Sequence, residues 1–182
     1  MGKNIAMAEN NDISGIIAGC KTGDCESFSR LVDIYAGRCH GYFYRITGNS
    51  DVSDDLLSRL FVRLVEKIGS YKDGSFEGWL FKIASNIFYD YLREKQRNEK
   101  AVKMRKELLQ LQRQGTGRSD CERFDKLQIG LGKLDTDTRE LIMLRFYSQL
   151  SFKELSGMRS EPIGTTLSKV HRGLKKLREL ME

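Results

Sequence analysis

An all-α protein, two small helical domains joined by a flexible linker with a helix-turn-helix in the second, is the architecture that three features of the sequence predict. Apolar residues recur at helical spacing through two separate stretches. A charged, Gly-containing stretch lies between them, and a single proline, Pro162, occurs in 182 residues. Proline removes a backbone donor and breaks helix interiors, so its scarcity leaves long helices uninterrupted.

The N-terminal residues 1–12 are polar, with Asp12 placed to cap a helix from Ile13. Asp24 caps the next, where Phe28, Leu31, Ile34 and Tyr35 follow a helical period. A loop at Gly48-Asn49-Ser50 precedes a third helix starting at Asp51, with Leu57, Leu60, Phe61, Leu64, Val65 and Ile68 on its apolar side. After a loop from Gly69 to Ser75, the clearest pattern follows. Phe76, Trp79/Leu80, Ile83/Ala84, Ile87/Phe88 and Tyr91/Leu92 form one continuous apolar stripe, opposite Lys82, Asn86, Tyr89, Arg93 and Arg97. Phe76 and Trp79 therefore read as core.

From Asn98 the chain loses large apolar residues and runs through Gln114-Gly115-Thr116-Gly117-Arg118-Ser119, a linker composition. About 25 extended residues would reach roughly 80 Å. The expected organisation is a segment 1–23, a domain 24–97, a linker 98–122 and a domain 123–182. In the second domain Phe124, Leu127, Leu131 and Leu134 make one helix, and Leu141, Ile142, Leu144 and Arg145 sit in another. Ser151 caps a short helix; a tight connection is expected at Gly157-Met158-Arg159-Ser160. In a long last helix Ile163, Leu167, Val170, Leu174, Leu177 and Met181 make the buried side, while Thr165, Lys169, Arg172 and Lys176 face outward.

Composition excludes several classes of function. A hydrophobic fraction of 40% supports packed cores, yet no apolar run approaches the roughly 20 residues that span a bilayer, so no membrane insertion is expected. Ile5-Ala6-Met7-Ala8 is too short for a secretory signal core. Cys20, Cys25, Cys39 and Cys121 lack tight pairing, which points to a reducing, cytoplasmic compartment. Cys39-His40 has no further ligand at metal spacing and reads as a packed thiol; Asp54 and Asp55 point about 100° apart and read as cap and surface residues. Phosphate-loop and Gly-x-Ser-x-Gly patterns are absent. Neither a catalytic residue, a metal nor a cofactor is expected, and the protein is read as no enzyme.

The formal charge of +6 is concentrated in the second half, densest at Lys169, Arg172, Lys175, Lys176 and Arg178. A basic stripe on one helix suits a polyanion partner. Residues 151–178 form a helix-turn-helix candidate, whose second helix fits a DNA major groove. Gly164 permits close backbone approach; Thr165, Thr166, Ser168, Lys169 and Arg172 offer donors. An ordinary amphipathic helix with a solvated basic face is the plainer reading of the same pattern.

Asp51-Val52-Ser53-Asp54-Asp55-Leu56 with Phe61, and Phe76 through Asn86 followed by Asp90-Tyr91-Leu92-Arg93, resemble the second conserved region of bacterial sigma factors. Leu134 through Arg145, Glu154-Leu155-Ser156 and Gly164 through Arg172 resemble the fourth. Both blocks, in this order and with no third region, resemble the extracytoplasmic-function (ECF) branch of the sigma-70 family. The resemblance covers residues 24–97 and 123–180. Ser58-Arg59 departs from the family's usual Gln-acid pair, and Arg159 and Glu161 stand where apolar residues are common.

The resemblance implies a sigma factor that binds core RNA polymerase and directs promoter recognition and strand opening, with an anti-sigma protein as a further expected partner. It places Asp54, Asp55, Leu56, Ser58, Arg59 and Val62 at the polymerase. The minus-ten element falls to Tyr71, Lys82, Asn86, Tyr89, Arg93 and Arg97. The minus-thirty-five element falls to Gly164, Thr165, Thr166, Ser168, Lys169 and Arg172. Aromatic rings beside cations suit unstacked bases, which makes Tyr71 and Tyr89 better base contacts than Trp79. Two other functions remain open on the residues: a free-standing repressor or activator using the helix-turn-helix alone, and a helical protein-interaction module.

Overall fold

The computed structural model describes residues 13–72, 74–108 and 126–181, and no strand occurs among them. The expected Asp12 cap and the Gln114–Ser119 stretch lie outside the described residues. Helix α1 covers residues 13–21 and sends Ile16, Ile17 and Cys20 into the core. Helix α2 (Cys25–Thr47) starts at Asp24, whose side chain accepts from the Ser27 amide. Helix α3 (Ser50–Lys67) begins one residue before the expected Asp51. Asn49 is its cap, accepting from the Val52 amide at 2.9 Å, which satisfies one of the four free donors of a helix start.

Helix α4 (Phe76–Leu108) is 33 residues long. It continues well past Arg97, the expected domain edge, because the charged stretch after Asn98 has good helix formers and no breaker. α2 packs along α3, and α3 along α4. Their shared core is aromatic and aliphatic: Leu31, Tyr35, Tyr42, Phe43, Leu56, Leu60 and Phe81 are all 0–1% exposed. The α4 stripe is buried as its period predicts, with Phe76, Leu80, Ile83, Ala84, Ile87 and Phe88 inside. Val65 is an exception to the α3 reading: it is exposed, and Leu56 takes the inward position.

The C-terminal block is made of short pieces: α5 (Lys126–Gly132), α6 (Thr136–Ile142), α7 (Phe152–Arg159) and a longer α8 (Ile163–Met181). A π turn, Met143–Tyr147, continues α6, so Leu144 and Arg145 leave the regular helix expected for them. Ser151 caps α7 as predicted and completes a capping box, its hydroxyl accepting from the Glu154 amide while Glu154 accepts from the Ser151 amide. Two expectations are corrected here. Gly157, Met158 and Arg159 are helical, and the connection to α8 is Ser160-Glu161-Pro162, with Ser160 in the left-handed region at φ 52°. The buried side of α8 is also rotated: Thr166, Val170, Gly173 and Leu177 face inward, while Ile163, Leu167, Leu174 and Met181 are 36–48% exposed. Gly173 sets that rotation. A Cβ there would lie 2.3 Å from Cγ2 of Thr138, so only glycine lets α8 seat this close to α6.

Candidate nucleic-acid interface

Three faces carry the residues singled out above. On α8, Gly164, Thr165, Ser168 and Arg172 are exposed along the first turns, where a groove-bound helix presents its side chains. The Ser168 hydroxyl donates to the Gly164 carbonyl at 2.8 Å, and Arg172 Nε donates to the Ser168 carbonyl at 3.3 Å, which draws the guanidinium along the helix. Thr166 differs: it is fully buried and its hydroxyl donates to Glu161 Oε1 at 2.8 Å. It holds the turn rather than the groove. Lys169 is half-buried; its ammonium donates to Glu161 Oε2 at 2.7 Å and lies 3.4 Å from Asp137 Oδ2. The hydrogen bond to Glu161 and the Asp137 carboxylate raise the Lys169 pKa above its ordinary 10.5 despite desolvation, and the bond from Lys169 lowers that of Glu161 below 4.5. A groove of about 360 Å³ in this block is lined by Asp135, Asp137, Lys169, Arg172, Gly173 and Lys176, so its cations border two carboxylates.

On α4, Lys82, Asn86, Arg93 and Arg97 share one exposed face, as their spacing requires. Asn86 and Arg93 also line a shallow groove with Arg63 and Lys67 of α3. Arg93 pairs with Asp90 at 2.5 Å. Tyr71 packs by its ring on Phe76 and Trp79, with centroids 5.3 Å away in each case, and its hydroxyl donates to the Gly74 carbonyl. Lys21 lies 5.4 Å over the same ring. Tyr89 is half-buried, with the Arg159 guanidinium 5.4 Å above its ring. Burial first, then the Glu140 carboxylate, push its phenol well above the ordinary 10.

On α3, Asp54, Asp55, Ser58, Arg59 and Val62 are exposed, Val62 at 63%. Leu56 is not: at 0% exposure it packs in the core and positions the helix. His40 Nε2 lies 3.2 Å from Asp54, and Arg59 bridges Asp55 at 2.9 Å and Glu94 at 3.0 Å. The departure Ser58-Arg59 thus builds an ion-paired link between α3 and α4. Ser58, Arg59, Val62, Ile87 and Glu94 line a groove of about 380 Å³ between the two helices. Cys39 is fully buried, and burial raises its thiol to about 12, which fits the packed-thiol reading.

Residues that the sequence alone did not single out do much of the positioning. Glu140 is completely buried; its Oε1 accepts from Tyr42 at 2.9 Å and Ser85 at 2.5 Å, and its Oε2 accepts from Arg159. Arg159 also donates to Asp137 at 2.5 Å. The signal for this cluster was present: an arginine at a position suited to an apolar residue requires a counter-charge nearby. No group of three or more potential metal ligands occurs among the described residues.

Comparison with known proteins agrees with the two-block reading. Residues 31–98 match the family described as Sigma-70 region 2, and residues 130–179 match Sigma-70, region 4. The chain is 31% identical over 162 residues to RNA polymerase sigma factor CarQ of Myxococcus xanthus, covering 88% of this chain and 92% of CarQ. It is 29% identical to ECF RNA polymerase sigma factor SigW of Bacillus subtilis, covering 87% of this chain and 91% of SigW. Against ECF RNA polymerase sigma factor SigE of Mycolicibacterium smegmatis, also 29% identical, it covers 88% of this chain but spans 65% of the relative's length. Among solved structures, the sigma factor RpoE in complex with the anti-sigma factor NepR from Bartonella quintana shares the fold, with a TM-score of 0.70 at 22% identity, covering 86% of this chain and 97% of that one. CnrH in complex with the cytosolic domain of CnrY gives 0.66 at 22% identity, covering 91% of this chain and 94% of that one.

Proposed function

The chain belongs to the sigma-70 family of RNA polymerase sigma factors, in its ECF branch, and we propose how its exposed faces divide the work. It binds core RNA polymerase and directs promoter recognition for transcription initiation. The exposed part of α3, from Asp54 to Val62 without Leu56, docks on the core enzyme, with the groove beside Arg59 as its centre. The α4 face of Lys82, Asn86, Arg93 and Arg97, with Tyr89 beside it and Tyr71 before its N-terminal end, holds the minus-ten strand as it opens. The first turns of α8 read the minus-thirty-five element as duplex, through Thr165, Ser168, Lys169 and Arg172. Residues 24–97 and 123–182 act as the two working units. The protein acts in the cytoplasm, performs no catalysis of its own, and is held in reserve by an anti-sigma protein.

The observation that carries this reading is the exposed basic face of α8 behind a capped α7, in one chain with the exposed polar face of α4. A helix pair alone would suit any repressor; the second face suits strand opening, for which a repressor has no use. Run-off transcription with core polymerase on genomic fragments tests it, and promoter-specific transcripts are expected only when the chain is added. Arg172→Ala should weaken minus-thirty-five recognition by about 1–3 kcal/mol if a base contact is lost. Absence of chain-dependent transcripts, with no co-migration with core enzyme, would refute the proposal.

A further inference from the structure

Helix α1 lies outside the segment that matches region 2, residues 31–98, and outside the working unit 24–97 proposed above. Its last residue nevertheless reaches a ring assigned to the opened strand: Lys21 Nζ lies 5.4 Å from the centroid of Tyr71. We infer that Lys21 is a further nucleic-acid contact. In the unbound protein its ammonium covers the Tyr71 ring; when an unpaired base takes that face, the ammonium moves to the adjoining phosphate of the strand. The inference rests on the minus-ten assignment of Tyr71 and α4.

The backbone under Lys21 is fixed. Ile16, Ile17 and Cys20 of α1 are 2–6% exposed, so the helix is held in the core, while Lys21, one turn on from Ile17, is left exposed at its end. That end is seated closely on the start of α2. A Cβ at Gly19 would overlap the Ser27 side chain, and the Asp24 amide donates to the Gly19 carbonyl at 3.0 Å. The ring is fixed as well, since Tyr71 packs on Phe76 and Trp79 and its hydroxyl donates to the Gly74 carbonyl at 2.8 Å. What can move is the four-carbon arm of Lys21.

Trp79 joins this place to the α4 face. Lys82, Asn86, Arg93 and Arg97 follow it at i+3, i+7, i+14 and i+18, which keeps all five on one flank of the helix. Lys21 therefore stands beyond the N-terminal end of that face, where a strand lying along α4 would leave it. Its charge is also uncommitted. Arg38, Arg59, Arg93 and Lys169 are tied to carboxylates, whereas Lys21 makes no ion pair among the described residues. A cation over a partly exposed ring is held weakly and is readily exchanged for a phosphate. A ring that stacks a base of any identity, beside a cation that neutralises the backbone, is the pairing that single-stranded DNA requires.

The test compares full-length Lys21→Ala, Lys21→Arg and wild type, each with core polymerase, for binding to the single strand that spans the minus-ten element of a promoter found by run-off transcription. Losing one phosphate contact should lower the slope of log affinity against log salt by about 0.7. The advantage of the wild type over Lys21→Ala should therefore shrink about threefold between 50 and 200 mM salt. Lys21→Arg should keep the wild-type slope. Tyr71→Leu should instead weaken binding by the same factor at every salt concentration, because stacking releases no counterions. Emission from Trp79, the one tryptophan of the chain, should be the same in unbound Lys21→Ala as in wild type, since the aromatic cluster stays packed without the cation. A Lys21→Ala slope equal to that of a tightly binding wild type would overturn the Lys21 contact alone, whether or not affinity or Trp79 emission changed. Holoenzyme that binds the strand no better than core enzyme would overturn the minus-ten assignment, and the Lys21 contact with it.

Discussion

The two halves of the molecule solve the packing problem differently. The N-terminal block uses helices of 23, 18 and 33 residues around a core of Tyr, Phe and Leu side chains. The C-terminal block has helices of 7, 7 and 8 residues before its one long helix, and buries Gln128, Glu140, Ser148, Ser156 and Thr166 among aliphatic side chains such as Leu131, Leu141, Leu144 and Leu155, with no aromatic ring among its buried described residues. A block this small buries a limited fraction of its surface, so the second block adds to its aliphatic core a hydrogen-bonded polar network that it shares with its neighbour. The difference teaches which half depends on the other: the one whose cohesion is partly polar and shared between the blocks.

That comparison can be broken most severely at Arg159. Arg159→Ala leaves the buried Glu140 without its cation, and a loss of about 3–5 kcal/mol is expected. Hydrogen exchange resolved by residue should show the loss in α6–α8, with α2–α4 protected as before; equal loss in both blocks would show that the contrast is false. A smaller effect is expected from Ser151→Ala, which removes the α7 cap and should cost about 1 kcal/mol in urea denaturation.

The smallest effect sharpens the electrostatic side of the contrast. Glu161 has a folded pKa below 4.5, so its contribution is complete above 4.5 and is lost as pH falls through the lowered value. Lys169 has a folded pKa above 10.5, so its contribution is complete below 10.5 and is lost as pH rises through the raised value. The pair should therefore stabilise the turn on a plateau between 4.5 and 10.5, by less than about 1 kcal/mol. The denaturation midpoint of Glu161→Gln, compared with wild type across that range, checks it; a difference that persists unchanged in acid would contradict the assignment.

Much of the fold was legible because its signals are local. Asp24 and Ser151 are caps because a short side-chain acceptor can reach an amide three residues on. The stripe from Phe76 to Phe88 repeats at the helical period, and all of it but the half-buried Trp79 is buried. On α8 the period was equally clear and the facing was not. Ile163, Leu167, Leu174 and Met181 have the same spacing as a buried stripe, yet the close seat at Gly173 turns them toward solvent. Thr166 looked like a groove residue for the same reason. Its burial follows from the pairing with Glu161 and the turn of the helix against α6.

Helix boundaries, caps and amphipathic periods arise from neighbours within a few residues, and the amino-acid order specifies them directly. Which helix flank faces in, and whether Tyr89 is covered, depends on partners 48 to 98 positions distant, such as Asp137 for Tyr89 and Glu140 for Tyr42. No local pattern encodes those encounters. They form only when helices distant in the chain pack together, because a buried charge takes whichever donors the packed surfaces bring to it.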